Sequence, residues 1–249
     1  MKSFQKEKPP VDITSDQYGY RDEKLCRSHS LPPSYKKEVI HKILFPRLRR
    51  SRKGVFLDLG AGKGEVSEIV KSKFKKLTVI VADLSRFALI DINARKAKGL
   101  SPVQMDGSRL SLADNSVDLV HCKDVIVHFY DLDLFFKELH RVTKKNARVI
   151  IAFVPTDGYF MAGSVNQVYT FPLEKQSDYL EIVQEAQTKK GWFVGPPFYD
   201  TSLRSIQKSM GKLFKITSKS SWIPEQFETT MDWYQESDPE RTVLELVRR

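Results

Sequence analysis

The stretch Val55-Phe-Leu-Asp58-Leu-Gly60-Ala61-Gly62-Lys-Gly64-Glu-Val-Ser constrains this chain more than any other. β-favouring residues run into three glycines at alternate positions. An amphipathic pattern through Val66, Ile69, Val70 and Phe74 follows at once. The order is strand, tight turn, helix. Glycine suits backbone that must take φ > 0 or lie against a ligand with no Cβ in the way. The helix start behind it offers free N–H groups and the positive end of a dipole. The stretch therefore reads as a nucleotide-type cradle at the carboxyl end of a parallel strand.

Spacing narrows the ligand. A phosphate-binding loop needs Gly-Lys followed by Ser or Thr to hold magnesium. Lys63 is followed by Gly64, which excludes ATP and GTP. A dinucleotide fingerprint needs Gly-x-Gly-x-x-Gly, and Glu65 stands where its third glycine belongs. What remains is Asp58-x-Gly60-x-Gly62-x-Gly64.

This pattern resembles motif I of the class I S-adenosylmethionine (SAM)-dependent methyltransferases. The resemblance continues through residues 55–153. Asp83 ends the second apolar run. The segment from Met105-Asp106-Gly107 to Ser116-Val117-Asp118 is similar to the family's acid-turn segment, with Ser111 in place of its usual proline. Val125-Ile-Val-His128 and Phe136-Lys-Glu-Leu-His-Arg141-Val follow the family's next two segments, with Lys145-Asn146-Ala147 replacing its Pro-Gly-Gly. The closest likeness within the family is to the small-molecule group that includes ubiquinone- and menaquinone-biosynthesis enzymes.

The resemblance implies site residues. Gly60, Ala61, Gly62 and Gly64 would cradle the methionine end of SAM, and Asp58 would orient that loop or meet the SAM amino group through water. Asp83 would take both ribose hydroxyls, with Leu84 beside it. Asp106 and Gly107 would meet adenine, and Cys122 and Lys123 would border the cofactor at the fourth-strand edge. S-adenosyl-L-homocysteine would be the product. His121 and His128 are candidates for a general base, because imidazole titrates near neutrality. The alternative for each is a hydrogen-bonded structural histidine. Tyr18, Tyr20, Asp124, Tyr159 and Phe160 are candidates for substrate contact. Cys122 reads as a small residue filling a strand end rather than a nucleophile. No second acidic cluster accompanies Asp124, so no metal is expected.

Continuous apolar runs at Leu77–Ala82, Val117–Cys122 and Ala147–Phe153 are what strands buried on both faces require. Amphipathic segments alternate with them: Phe87, Ile90, Ala94 and Ala97, then Leu132, Phe135, Phe136, Leu139 and Val142. The expectation is a Rossmann-like, doubly wound α/β sheet of seven strands, mainly parallel, with an antiparallel C-terminal strand at 242–247. Residues 1–53 read as a basic N-terminal helical extension or lid, with Ser34 capping a helix on Tyr35, Val39, Ile43, Leu44 and Leu48. Residues 54–249 form the catalytic domain. Within it, 155–212 is an inserted acceptor-site lid, with aromatic loops at 155–172 and 191–199, a helix over 173–190 and a short helix near 202–211.

Composition bounds the rest. Of the net charge of +10, the first 53 residues carry 14 Lys/Arg against six Asp/Glu. Such a segment favours acidic or phosphate-bearing partners. It keeps open an RNA or protein methyltransferase, and a non-catalytic SAM-binding scaffold is a third reading. Two cysteines, no run long and apolar enough for a membrane span and no apolar leader suggest a cytoplasmic protein. The favoured partner is a small-molecule acceptor.

Overall fold

The computed structural model describes residues 31, 33–49, 53–94, 99–164, 167–172, 193–194, 198–222 and 241–249. Tyr18, Tyr20, Ala97 and the helix expected over 173–190 lie outside them. A seven-stranded sheet organises the molecule: β1 (Val55–Leu59), β2 (Thr78–Asp83), β3 (Leu100–Gln104), β4 (Val117–Lys123), β5 (Thr143–Phe153), β10 (Phe214–Trp222) and β11 (Arg241–Arg248). Its order is β3-β2-β1-β4-β5-β11-β10. β11 runs antiparallel to both neighbours, and the other pairs are parallel. This is the expected doubly wound fold. The chain reverses direction beside β1, so the β1, β2 and β4 tips open onto one crevice.

Helices cover both faces. α1 comprises Pro33–Tyr35, a wide-turned stretch Lys36–Leu44 and Phe45–Leu48. It lies on one face with α2 (Glu65–Lys73) and α3 (Arg86–Ala94), packed on Phe56, Val79, Val81 and Leu119. α4 (Leu132–Val142) and α5 (Leu203–Met210) cover the other, on Leu57, Val120, Val149 and Ile151. The starts of α4 and α5 are capped by Asp131 and Ser202, each accepting a backbone N–H three residues on.

The structure corrects four local readings. Ser34 lies inside α1 and does not cap it. Through the wide-turned stretch the buried positions of α1 step by five, as Tyr35, Ile40, Phe45 and as Val39, Leu44, and Leu48 follows Leu44 by four. Hydrogen bonds spanning five residues, such as Phe45 N–H to Ile40 C=O, stack those positions on one side. Ile40, which the expected spacing omits, is fully buried, while Ile43 packs half-buried against the same core. In α3 the buried residues are Ala88, Leu89 and Ile92, whereas Phe87 and Ile90 are exposed. Asn146 takes φ 64° inside β5, where the β4 register skips from Thr143 to Arg148. Finally, the segment after β5 is not a loop. β6 (Asp157–Ser164), β7 (Gln167–Pro172), β8 (Phe193–Val194) and β9 (Phe198–Asp200) form a second sheet around β6.

An ion cluster fastens α1 to the main sheet. Glu245 of β11, 2% exposed, accepts from Arg47 Nε at 2.9 Å and Arg47 Nη2 at 2.7 Å, and also pairs with Arg148 of β5. Burial pushes the Glu245 carboxyl up, but the two guanidinium groups outweigh it and hold it below its ordinary range. Stability from such a carboxylate is present above its unfolded pKa of about 4.3 and is lost as pH falls through the lower folded value. Arg47→Ala should cost about 1–3 kcal/mol at pH 7. Urea unfolding should show that difference shrinking as pH drops below 4. A difference independent of pH would contradict the role assigned to the pair.

Candidate active site

The glycine turn joins β1 to α2 at the carboxyl edge of the sheet. Gly60 and Gly62 take φ 67° and 51°, the left-handed region that penalises a Cβ. Their surroundings differ. A Cβ on Gly60 would lie 2.0 Å from Val125 Cγ2, so that glycine is needed for packing against the turn after β4. A Cβ on Gly62 would meet nothing within 4 Å among the described residues. The open side of the cradle is therefore at Gly62. Backbone bonds from Gly60 and Ala61 to Ala82 C=O, at 2.7 and 3.0 Å, hold the loop against the end of β2.

Asp83 ends β2. Its Oδ2 accepts from Gly62 N–H at 2.8 Å and its Oδ1 from Ser85 N–H at 2.7 Å. Burial raises its pKa, opposed by these backbone donors. Each oxygen keeps a lone pair for a further donor. Asp106 is exposed in the turn after β3 and accepts from Ser108 N–H at 2.7 Å. Gly107 is buried under Phe129, whose ring a Cβ would meet at 2.4 Å. Leu84 is half-buried, and its C=O accepts from the Gln104 amide at 3.0 Å. The elongated arrangement, with an open glycine backbone, a carboxylate 2.8 Å away and a second carboxylate in the neighbouring turn, fits the nucleoside and amino-acid ends of SAM.

The structure separates the other candidates. His121 is 1% exposed on the α1-side face. Its Nδ1 lies 2.7 Å from Asp58 Oδ1 and its Nε2 2.7 Å from Tyr35 Oη. Asp58, 2% exposed, uses its other oxygen to accept from Ser67 Oγ at 2.6 Å. Both ring nitrogens of His121 and both oxygens of Asp58 are thus taken inside the core. Cys122 points to the opposite face, fully buried, and burial pushes its thiol pKa far up, which removes it as a nucleophile. His128 closes the turn Ile126–His128 after β4 and is half-buried there.

Lys123 and Asp124 form the tip of β4. Asp124 takes φ 54°, and its N–H donates to Ala152 C=O at 2.7 Å. Its carboxylate pairs with Lys123 and with Arg241 Nε, the latter at 3.2 Å. Burial acts to raise its pKa, but these two cations prevail and lower it. Tyr159 and Phe160 lie on β6, in the second sheet. That sheet meets the β4 side through Tyr199, whose ring lies 5.4 Å from that of Tyr130. Thr201, just beyond β9, donates its N–H to Thr156 C=O at 2.9 Å. Among the described residues no group of His, Cys, Asp and Glu is placed to hold a metal, and no helix is long and apolar enough to cross a membrane.

Sequence reasoning missed Tyr35, Ser67 and Glu65, whose Oε2 accepts the Leu31 N–H at 2.5 Å. One signal was available: Ser67 is a polar residue on the buried side of an amphipathic helix, where a hydroxyl needs a partner.

Comparison with known proteins agrees with this geometry. Residues 57–151 match a family model described as a methyltransferase domain. Among curated proteins none matches the chain by sequence. Similar solved structures include the PH0226 protein of Pyrococcus horikoshii OT3, with 16% identity, TM-score 0.56 and coverage of 95% of this chain and 97% of that one. A SAM-dependent methyltransferase of Methanosarcina mazei has 16% identity and TM-score 0.56, covering 84% and 97%. The N-methyltransferase NodS of Bradyrhizobium japonicum WM9, solved with S-adenosyl-L-homocysteine, has 9% identity and TM-score 0.53, covering 87% and 88%.

The two glycines give a paired test. Gly62→Ala should cost only the left-handed penalty of about 1–2 kcal/mol and leave a folded protein, yet weaken binding of S-adenosyl-L-homocysteine at least tenfold by calorimetry. Gly60→Ala must also displace Val125 and should lower Tm clearly more. Unimpaired binding by a folded Gly62→Ala protein would refute the placement of the cradle's open side.

Proposed function

We propose that this chain, a class I SAM-dependent methyltransferase in its central domain, places the methyl group on a small-molecule acceptor. The supporting observation is the second sheet. It stands beside the β4 tip through the Tyr130–Tyr199 contact, an added element on the side where an acceptor would approach. The acceptor would lie between the turn 124–130 and that sheet. The segment's aromatic sequence, and the resemblance to quinone-biosynthesis enzymes, make an apolar ring compound the first acceptor to try. The RNA reading loses support at Arg47, which is bound to the buried Glu245 instead of being presented outward.

In this reading the glycine loop holds the methionine end of SAM, Asp83 the ribose hydroxyls, and Asp106 with Gly107 the adenine. SAM supplies an activated sulfonium methyl, so the protein's task is alignment and, for a hydroxyl or acidic carbon, removal of one proton. His128 is the histidine we assign to that proton. It borders the acceptor side, whereas His121 has both nitrogens engaged within the core. Lys123 and Asp124 shape the acceptor wall at the β4 tip.

Radiolabelled SAM should transfer its methyl to at least one member of a panel of quinols, phenols and small amines, and not to total RNA. Transfer to RNA alone would replace this reading. With an acceptor found, His128→Ala should lower kcat by roughly 10²–10⁴-fold if it is the base, with SAM affinity unchanged. An unchanged kcat would reduce the mechanism to alignment.

A further inference from the structure

The acid of the glycine motif does not face the open side of the cradle. Asp58 and His121 are directly opposed on the neighbouring strands β1 and β4, and their side chains meet on the face that α1 and α2 cover. From there a continuous chain of polar groups runs through the core, from Tyr35 Oη to His121, from His121 to Asp58, and from Asp58 to Ser67 Oγ, with steps of 2.7, 2.7 and 2.6 Å. All four residues are at most 2% exposed.

The hydrogens can be assigned. Burial, together with the nearby charges of Asp124 and Asp58, holds the Tyr35 phenol protonated well beyond its ordinary pKa. The Asp58 carboxylate can only accept, so the Nδ1 hydrogen points to it; on a neutral ring Nε2 then accepts from the Tyr35 O–H. Ser67 donates to the remaining carboxylate oxygen. The Tyr35 ring is held independently of its hydroxyl, by edge contact with Trp222 at 5.0 Å and by the Lys123 ammonium 5.4 Å from its centre.

We infer that Tyr35, His121 and Ser67 are positioning residues for the cofactor loop: they turn Asp58 into the core and so fix the backbone that reaches Gly60 two residues later. The loop is then clamped from two sides, by Asp58 beneath β1 and by Asp83 at Gly62. A helix from the N-terminal part of the chain takes part in cofactor binding without touching the cofactor. The Leu31 N–H bond to Glu65, on the first residue of α2, supports the same coupling. The inference rests on the SAM reading above.

Tyr35→Phe removes one hydroxyl and leaves His121 Nε2 buried without a donor; Ser67→Ala does the same to Asp58. Each should weaken S-adenosyl-L-homocysteine about tenfold by calorimetry, because a buried polar group is left unpaired beside the loop. Adenosine lacks the methionine part that the loop would hold, and its affinity should fall clearly less. In steady state, KM for SAM should rise while kcat at saturation stays within about twofold. ¹⁵N spectra of the wild type should show His121 with its hydrogen on Nδ1. Unchanged S-adenosyl-L-homocysteine affinity in both variants, an equal loss of adenosine affinity or an Nε2–H imidazole would each overturn the inference alone. A wild-type protein that binds neither ligand would remove the cofactor reading and this inference with it.

Discussion

A carboxylate in the middle of a sheet covered on both faces cannot remain bare, because burying an unpaired charge costs several kcal/mol. The structure answers this at Asp58. The neighbouring strand supplies His121, the following helix Ser67, and the His121 ring is completed by Tyr35. One buried acid thereby sets the register in which β1 lies beside β4, the seat of α2 and the seat of α1. The glycine turn leaves the sheet directly above this junction, so its shape follows from groups that never reach the cradle.

Around that junction, two kinds of electrostatic contact divide the labour. Asp58 is satisfied by the His121 ring and the Ser67 hydroxyl. Glu245 and Asp124 are held by arginine and lysine, which join β11 to α1 and to the tip of β4. The basic excess of the N-terminal part is therefore partly structural, since Arg47 balances an acid nearly two hundred residues away.

Much of this fold was legible in the sequence. The runs that became β2, β4 and β5 are apolar on both sides, as parallel strands between helices must be, and the fourfold spacing in α4 named its buried residues correctly. The failures share a cause. In α3 the sequence offers apolar residues all round, and only the position of the sheet decides that Leu89 and Ile92 go in while Phe87 and Ile90 stay out. In α1 spacings of three and four find Tyr35, Val39, Leu44 and Leu48 but miss Ile40 and Phe45, which the five-residue step brings to the same core. The second sheet arises from pairings between segments that carry no clean alternation. At the site, Asp83 stands where spacing puts it, at the tip of β2. The inward turn of Asp58 could not be read, because nothing local to Asp58 reveals that residues 35 and 121 will meet beside it.

Among the described residues the main sheet ends in two edge strands, and such edges must resist pairing with other copies. β3 forms one edge, and it carries Pro102 opposite Val81. Proline has no N–H to offer a further strand. At the other edge β10 is bent by a register shift between Ile216 and Ser218 and bears exposed Lys215 and Lys219. Another molecule's strand arriving at either border would find a missing donor or an unneutralised positive charge. The same borders that end the fold thus keep one molecule from templating the next.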